Sequence, residues 1–213
     1  MKRVTSIILA VMMVLLLPSY GLAEFVFRDG ITWYISKDQV MKRLEKESDF
    51  ENYQIEESEP GALAEIIPQE KENPQIWYLN VDNIYLGNEN ESVSLFLGGT
   101  KKTGLYVATY DIIPPRAIDE NYYSRANELV AQLQKKYGNF SREDKWKNRE
   151  KYKADTAVFE AWKELPDKTF VYLFIKRLEV GYRMSLEYQS PRMEEIEKSM
   201  QDGSFYIEPA FGL

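Results

Sequence analysis

From Val180 to Tyr188 apolar and polar side chains alternate almost without a break. Val180, Tyr182, Met184, Leu186 and Tyr188 fall on one parity, and Glu179, Arg183, Ser185 and Glu187 on the other. A period of two marks a strand with one dry face and one wet face. Such strands belong to antiparallel sheets, whose dry face must be covered by a second layer. The chain carries that layer. Tyr122, Ala126, Leu129, Val130, Leu133 and Tyr137 recur at helical spacing, with Asp119 and Glu120 at the start, Lys135 and Lys136 at the end, and Gly138 placed to stop the helix.

A first helix announces itself near the other end. Ser36 with Gln39 three residues on forms a capping box, and Ile35 and Val40 fit a hydrophobic staple. The helix is expected from Lys37 to about Lys46, with Trp33 lying under it. Being short, it needs a surface to rest on.

That surface is sheet. Ile76 to Leu86, Ser92 to Leu97 and Leu105 to Ile113 read as a meander broken by turns at Gly87-Asn88-Glu89-Asn90 and Gly98-Gly99-Thr100. The acidic, proline-bearing stretch from Glu51 to Pro74 is expected to hold one or two edge strands, around Gln54 and Ala64. After the second helix come strands at Thr156 to Lys163, Thr169 to Leu178 and Val180 to Tyr188. The fold class is therefore α+β, an antiparallel sheet with helices packed on one face. Two helix-plus-strands halves, 24–115 and 116–190, form one continuous domain, and 191–213 is a C-terminal helix or tail.

Residues 1–23 read as a leader. Lys2 and Arg3 precede an apolar run from Ile7 to Leu17, Pro18 breaks it, and Gly21 and Ala23 suit a signal peptidase cutting between Ala23 and Glu24. The apolar run is about half the ~20 residues needed to span a bilayer. The expectation is a secreted or periplasmic, soluble chain with no membrane span after cleavage. With no cysteine to acylate, it is not a lipoprotein.

Composition narrows the chemistry. There is no cysteine and no histidine. Disulfides are excluded, as are Ser-His-Asp and Cys-His mechanisms and the commonest zinc ligand. Losing Lys2 and Arg3 with the leader takes the 27 basic residues to 25 against 34 acidic, a balance of −9. A chain so acidic is a poor partner for nucleic acid. The one basic run, Lys145-Trp146-Lys147-Asn148-Arg149-Glu150-Lys151, reads as a solvated loop or helix face. Asp82-Asn83 and Asn88-Glu89-Asn90-Glu91 offer oxygen ligands near a turn but lack the spacing of a calcium loop. No cofactor, metal or catalytic residue is assigned.

The opening Gly30-Ile31-Thr32-Trp33, then Ser36-Lys37-Asp38-Gln39-Val40, resembles that of small bacterial exported proteins built like the β-lactamase-inhibitor protein and the SmpA/OmlA outer-membrane-assembly lipoprotein. Leu133 through Tyr137-Gly138 resembles a helix end common among them. Tyr34 stands where that family usually has Gly, and the first helix ends Leu44-Glu45 instead of Leu-Gly. The resemblance implies a helical layer on an antiparallel sheet, sometimes duplicated, and an interaction-type role. It carries over no binding residue.

One surface stands out. Between Thr169 and Leu178, Val171, Leu173 and Ile175 form one apolar parity, yet Phe170, Tyr172 and Phe174 make the other apolar too. Either the tail Phe205-Tyr206-Ile207 with Phe211 covers these rings, the favoured reading, or a partner does. The leading functional expectation is a secreted, non-enzymatic domain that binds a protein partner, as an inhibitor or envelope factor. A carbohydrate- or peptidoglycan-binding module using exposed aromatics is the alternative, and a carboxylate-based hydrolase the third.

Overall fold

In the computed structural model, eight antiparallel strands form one sheet whose middle is built from the two halves of the chain. The structure describes residues 31–45, 55–58, 76–82, 84, 86 and 90–201. The two residues flanking the expected cleavage site, Ala23 and Glu24, lie outside the described residues, as do Gln54, Ala64 and the tail from Phe205 to Phe211. The order along the chain is α1 (Lys37–Leu44), β1 (Ile55–Ser58), β2 (Ile76–Val81), β3 (Ser92–Thr100), β4 (Gly104–Ile113), α2 (Asp119–Tyr137), β5 (Ser141–Asp144), β6 (Ala157–Glu164), β7 (Phe170–Arg177), β8 (Tyr182–Gln189) and α3 (Met193–Gln201), with short 3-10 turns at Pro115–Ala117 and Trp146–Lys151. A helix followed by four strands thus occurs twice. The sheet order is β1-β2-β3-β4-β8-β7-β6-β5, so the halves meet where β4 pairs β8, from Val107 opposite Gln189 to Ile112 opposite Met184.

Helix α1 begins as its capping chemistry dictates. Ser36 Oγ accepts the Gln39 N–H at 3.3 Å, and Gln39 Oε1 accepts the Ser36 N–H at 2.9 Å. The helix stops at Leu44, two residues short of expectation, and buries Val40 and Leu44. Just before it, Tyr34 holds φ 67° and donates its N–H to the Leu105 carbonyl, while the Leu105 N–H reaches Ile35. This close approach explains Gly104, at φ +72°, where a Cβ would collide with the Tyr34 carbonyl. Trp33 packs partly buried against the core and donates Nε1–H to Thr169 Oγ1 at 2.8 Å.

Strand β3 runs on through Gly98-Gly99-Thr100, which the sequence pattern places in a turn. The reason is steric. A Cβ on Gly99 would overlap the Trp77 ring, so the glycine lets an indole lie flat across the strand. The chain actually reverses at residues 101–103, where the Thr100 and Thr103 hydroxyls bond at 2.7 Å. Gly98 pairs Val107 and Gly99 pairs Leu105, leaving Tyr106 as a bulged residue.

Alternate strand residues pack into one core. Val93, Leu95, Leu97, Ala108, Ile112, Val171, Leu173, Ile175, Met184 and Leu186 are buried together with Val40 and Leu44 of α1 and Tyr122, Ala126, Leu129, Val130 and Leu133 of α2. Each such aliphatic side chain contributes about 1.5–3 kcal/mol by leaving water. The 3-10 turn over the basic run is not simply solvated. Trp146 is buried there, stacked 5.2 Å from Tyr123, with the Arg149 guanidinium 4.6 Å from its ring. A second, smaller cluster joins Tyr106 and Val107 to Ile196 of α3. Bulging at Tyr106 turns both strand residues away from the main core.

One buried ion pair ties the halves together. Arg125 of α2 donates Nε–H and an NH2 proton to the two Glu91 oxygens at 2.6 and 2.7 Å, another to the Leu86 carbonyl at 2.8 Å and an NH1 proton to Glu128 at 2.9 Å.

Candidate interaction face

The register places the residues of opposite parity in three rows across the sheet. One row reads Glu164, Phe170, Gln189, Val107, Gly98, Tyr78; the next Trp162, Tyr172, Glu187, Thr109, Phe96, Asn80; the third Glu160, Phe174, Ser185, Asp111, Ser94. Rings and carboxylates therefore alternate on the face that the main core does not use.

The three rings singled out in the sequence come together as a ladder along β7. Phe170 and Tyr172 lie 6.2 Å apart and Tyr172 and Phe174 4.9 Å apart, tilted by 34° and 36°. Phe170 and Tyr172 are half-buried, whereas Phe174 is buried at 7% exposure. Because β7 lies between β8 and β6, Trp162 stands directly beside Tyr172. On the far half of the face, Tyr78 and Phe96 stack at 4.9 Å.

The polar groups between the rings are held by one another. Tyr172 donates its phenol proton to Glu160, and Lys145 lies 3.6 Å from that carboxylate and 3.0 Å from Glu143. Burial, then the Glu160 carboxylate, raise the Tyr172 phenol above its ordinary range, so it stays a neutral donor at ordinary pH. Asp111 accepts Ser185 Oγ–H and an Arg183 proton, each at 2.6 Å, and Asp82 accepts Ser94 Oγ–H at 2.6 Å. Gln189 donates to Glu187 at 2.5 Å, and Lys176 sits 5.0 Å over the Phe174 ring. Side chains fixed this way lose little freedom when something docks on them.

Sequence pattern finds the β7 ladder but misses Trp162, Glu160, Glu187, Phe96 and Tyr78. Only the parity of Glu160, Trp162 and Glu164 hints at them, and it takes the register to bring those residues beside the rings. Two of the residues weighed for calcium, Glu91 and Asp82, have other duties. Glu91 is fully buried against Arg125, and Asp82 serves Ser94 and Asn80. Among the described residues no three carboxylates converge as metal ligands would, and no helix is long and apolar enough to cross a membrane. Set against protein-family models, curated proteins and solved structures, the chain matches none of them.

Proposed function

We propose that this chain is an exported, non-enzymatic protein-binding domain. Helices α1 and α2 cover one face of the sheet, and the polar–aromatic face of β6, β7 and β8 meets a protein partner in an inhibitor-like or envelope-factor-like role. The observation that carries the reading is the patch of half-buried Trp162, Phe170 and Tyr172, framed by carboxylates already fixed by hydrogen bonds. Tyr and Trp supply large contact area at small entropic cost and dominate binding hot spots. The lack of histidine and cysteine weighs against catalysis. Export rests on the leader, with cleavage between Ala23 and Glu24. The likeness to β-lactamase-inhibitor-protein and SmpA/OmlA-type folds gains support from Tyr34, which holds the left-handed backbone that a glycine would take there.

The test is capture of partners from the native secretome and envelope on the mature chain, followed by titration of the purified partner. Trp162→Ala and Tyr172→Ala are expected to weaken binding at least tenfold while leaving the thermal midpoint within a few degrees. A partner that binds both variants as tightly as the parent removes this face from the reading. Retention by peptidoglycan, lost in the same variants, favours the glycan-binding alternative instead.

A further inference from the structure

We propose that the polar–aromatic face takes an arginine side chain of its protein partner, seated on Tyr172 between the carboxylates of Glu160 and Glu187. The inference rests on the protein-binding reading above and names the chemistry of the contact. In the register, Trp162, Tyr172 and Glu187 stand side by side on β6, β7 and β8. Glu160, on the same face of β6, accepts the Tyr172 phenol proton, and Glu143 of β5 stands opposite Glu160. Burial, then the carboxylates of Glu160, Glu187 and Glu143, raise the Tyr172 phenol. Negative potential therefore converges on this half-buried ring.

Most carboxylates on the face already have a cation of this chain. Glu143 and Glu160 share Lys145, Glu164 has Lys168, and Asp111 has Arg183. Glu187 has no cation within 4 Å among the described residues; Gln189 donates to its Oε1. Glu197 of α3 adds a further carboxyl, raised by partial burial and by the charges of Glu187 and Glu194. The rings repeat the pattern. Lys176 sits 5.0 Å over Phe174, and elsewhere Arg142 and Arg149 each lie 4.6 Å over Phe159 and Trp146, whereas no cation of the described residues lies over Trp162, Phe170 or Tyr172. An uncompensated carboxylate thus adjoins rings that carry no cation. An apolar or acidic partner laid here would strip water from Glu187 and leave the charge alone. Arginine meets both needs, because its planar guanidinium stacks on an aromatic ring and forks onto a carboxylate. Lysine brings the charge but no plane to stack.

The probe is a capped peptide of alternating glycine and arginine, titrated into the purified chain at low ionic strength beside its citrulline counterpart, which keeps the shape and loses the charge. The arginine peptide is expected to bind at least tenfold tighter than the citrulline one. Glu187→Gln and Tyr172→Ala should each weaken it severalfold, while Glu45→Gln, at an exposed acid on α1, should leave it unchanged. Absent binding, equal binding of the citrulline peptide, or an equal loss in Glu45→Gln overturns the proposal, the last by showing diffuse attraction to an acidic protein. A second measurement uses the unsubstituted chain and does not depend on any variant folding. On titration the ring resonances of Tyr172 and Trp162 should shift while those of buried Trp146 stay in place; shifts at Trp146 alone, or none, refute the docking. The two readings fail separately. A captured partner that depends on Trp162 and Tyr172 but is indifferent to Glu187→Gln removes the arginine and keeps the face, whereas a partner indifferent to the rings removes the face itself.

Discussion

Substituting Glu91→Gln should be among the most damaging conservative changes in the molecule. Glu91 is fully buried beneath Arg125, itself 4% exposed, and the two make a bidentate pair at 2.6 and 2.7 Å. Removing one charge from such a pair strands the other in a medium that solvates it poorly, at about 3–5 kcal/mol. Glutamine keeps the volume and one acceptor oxygen, and Glu128 still faces the guanidinium at 2.9 Å. The loss should therefore fall at the lower end, about 3 kcal/mol, or about 6–12 °C in thermal midpoint for a domain of this size. Replacing both partners, with Arg125→Met and Glu91→Leu, should recover most of that loss because no buried charge is left alone. Urea denaturation of the parent, Arg125→Met, Glu91→Leu and the double variant gives the coupling energy, expected at about 2 kcal/mol or more. A loss under about 1 kcal/mol for Glu91→Gln, or strictly additive single effects, would refute the claim that this pair is sealed from water. The exposed Lys168–Glu164 pair, with side chains 69% and 57% exposed, is the control, and Lys168→Ala should cost under about 0.5 kcal/mol.

Backbone and cap geometry give two more expected outcomes. Gly99→Ala drives a methyl into the Trp77 ring and should cost about 2–3 kcal/mol, more than Gly98→Ala, whose nearest obstacle is a Val107 methyl at 2.7 Å that can shift; the reverse order of denaturation midpoints would contradict the packing described. Ser36→Ala removes the acceptor for the Gln39 N–H and should lower stability by about 1 kcal/mol by the same assay, with Ser36→Asp restoring most of it.

Local chemistry was readable where a few neighbouring residues determine it. The capping box at Ser36 and Gln39, the apolar stripe of α2 and the alternation from Tyr182 onward in β8 stand in the structure close to where their patterns place them, whereas Val180, read on the dry parity, lies before the strand at 90% exposure, and Ser185, on the wet parity, is buried. Features whose cause lies elsewhere in the chain were not readable. Gly98-Gly99 looks like a turn unless the Trp77 ring that lies over it is known. Strand β5, Ser141–Asp144, is exposed along its length and too polar to show any alternation. Trp146 is hidden inside a run of charges, and the Arg149 that makes the run look solvated is the group that caps its ring. Of the candidate face, the rings of one strand were legible because they contradict their own strand's pattern. Trp162, Glu160 and Glu187 join them only through register, which a non-local pairing decides.

The pairing of β4 with β8 also fixes a sequence of events. Strands β1 to β4 can pair in order as each is made, yet β4 then presents a long open edge whose partner is the last strand of the sheet. Strand β8 closes the second meander by its hairpin with β7, and the seam forms where its other edge meets β4, with Gln189 opposite Phe170 on one side and Val107 on the other. Until then both unpaired edges are sites for pairing with another chain, and closure must overcome the entropy of a long loop before any contact rewards it. A ribosome-bound or translocating chain halted before Tyr182 would hold two half-sheets with no seam. The centre of the molecule is the last part to exist.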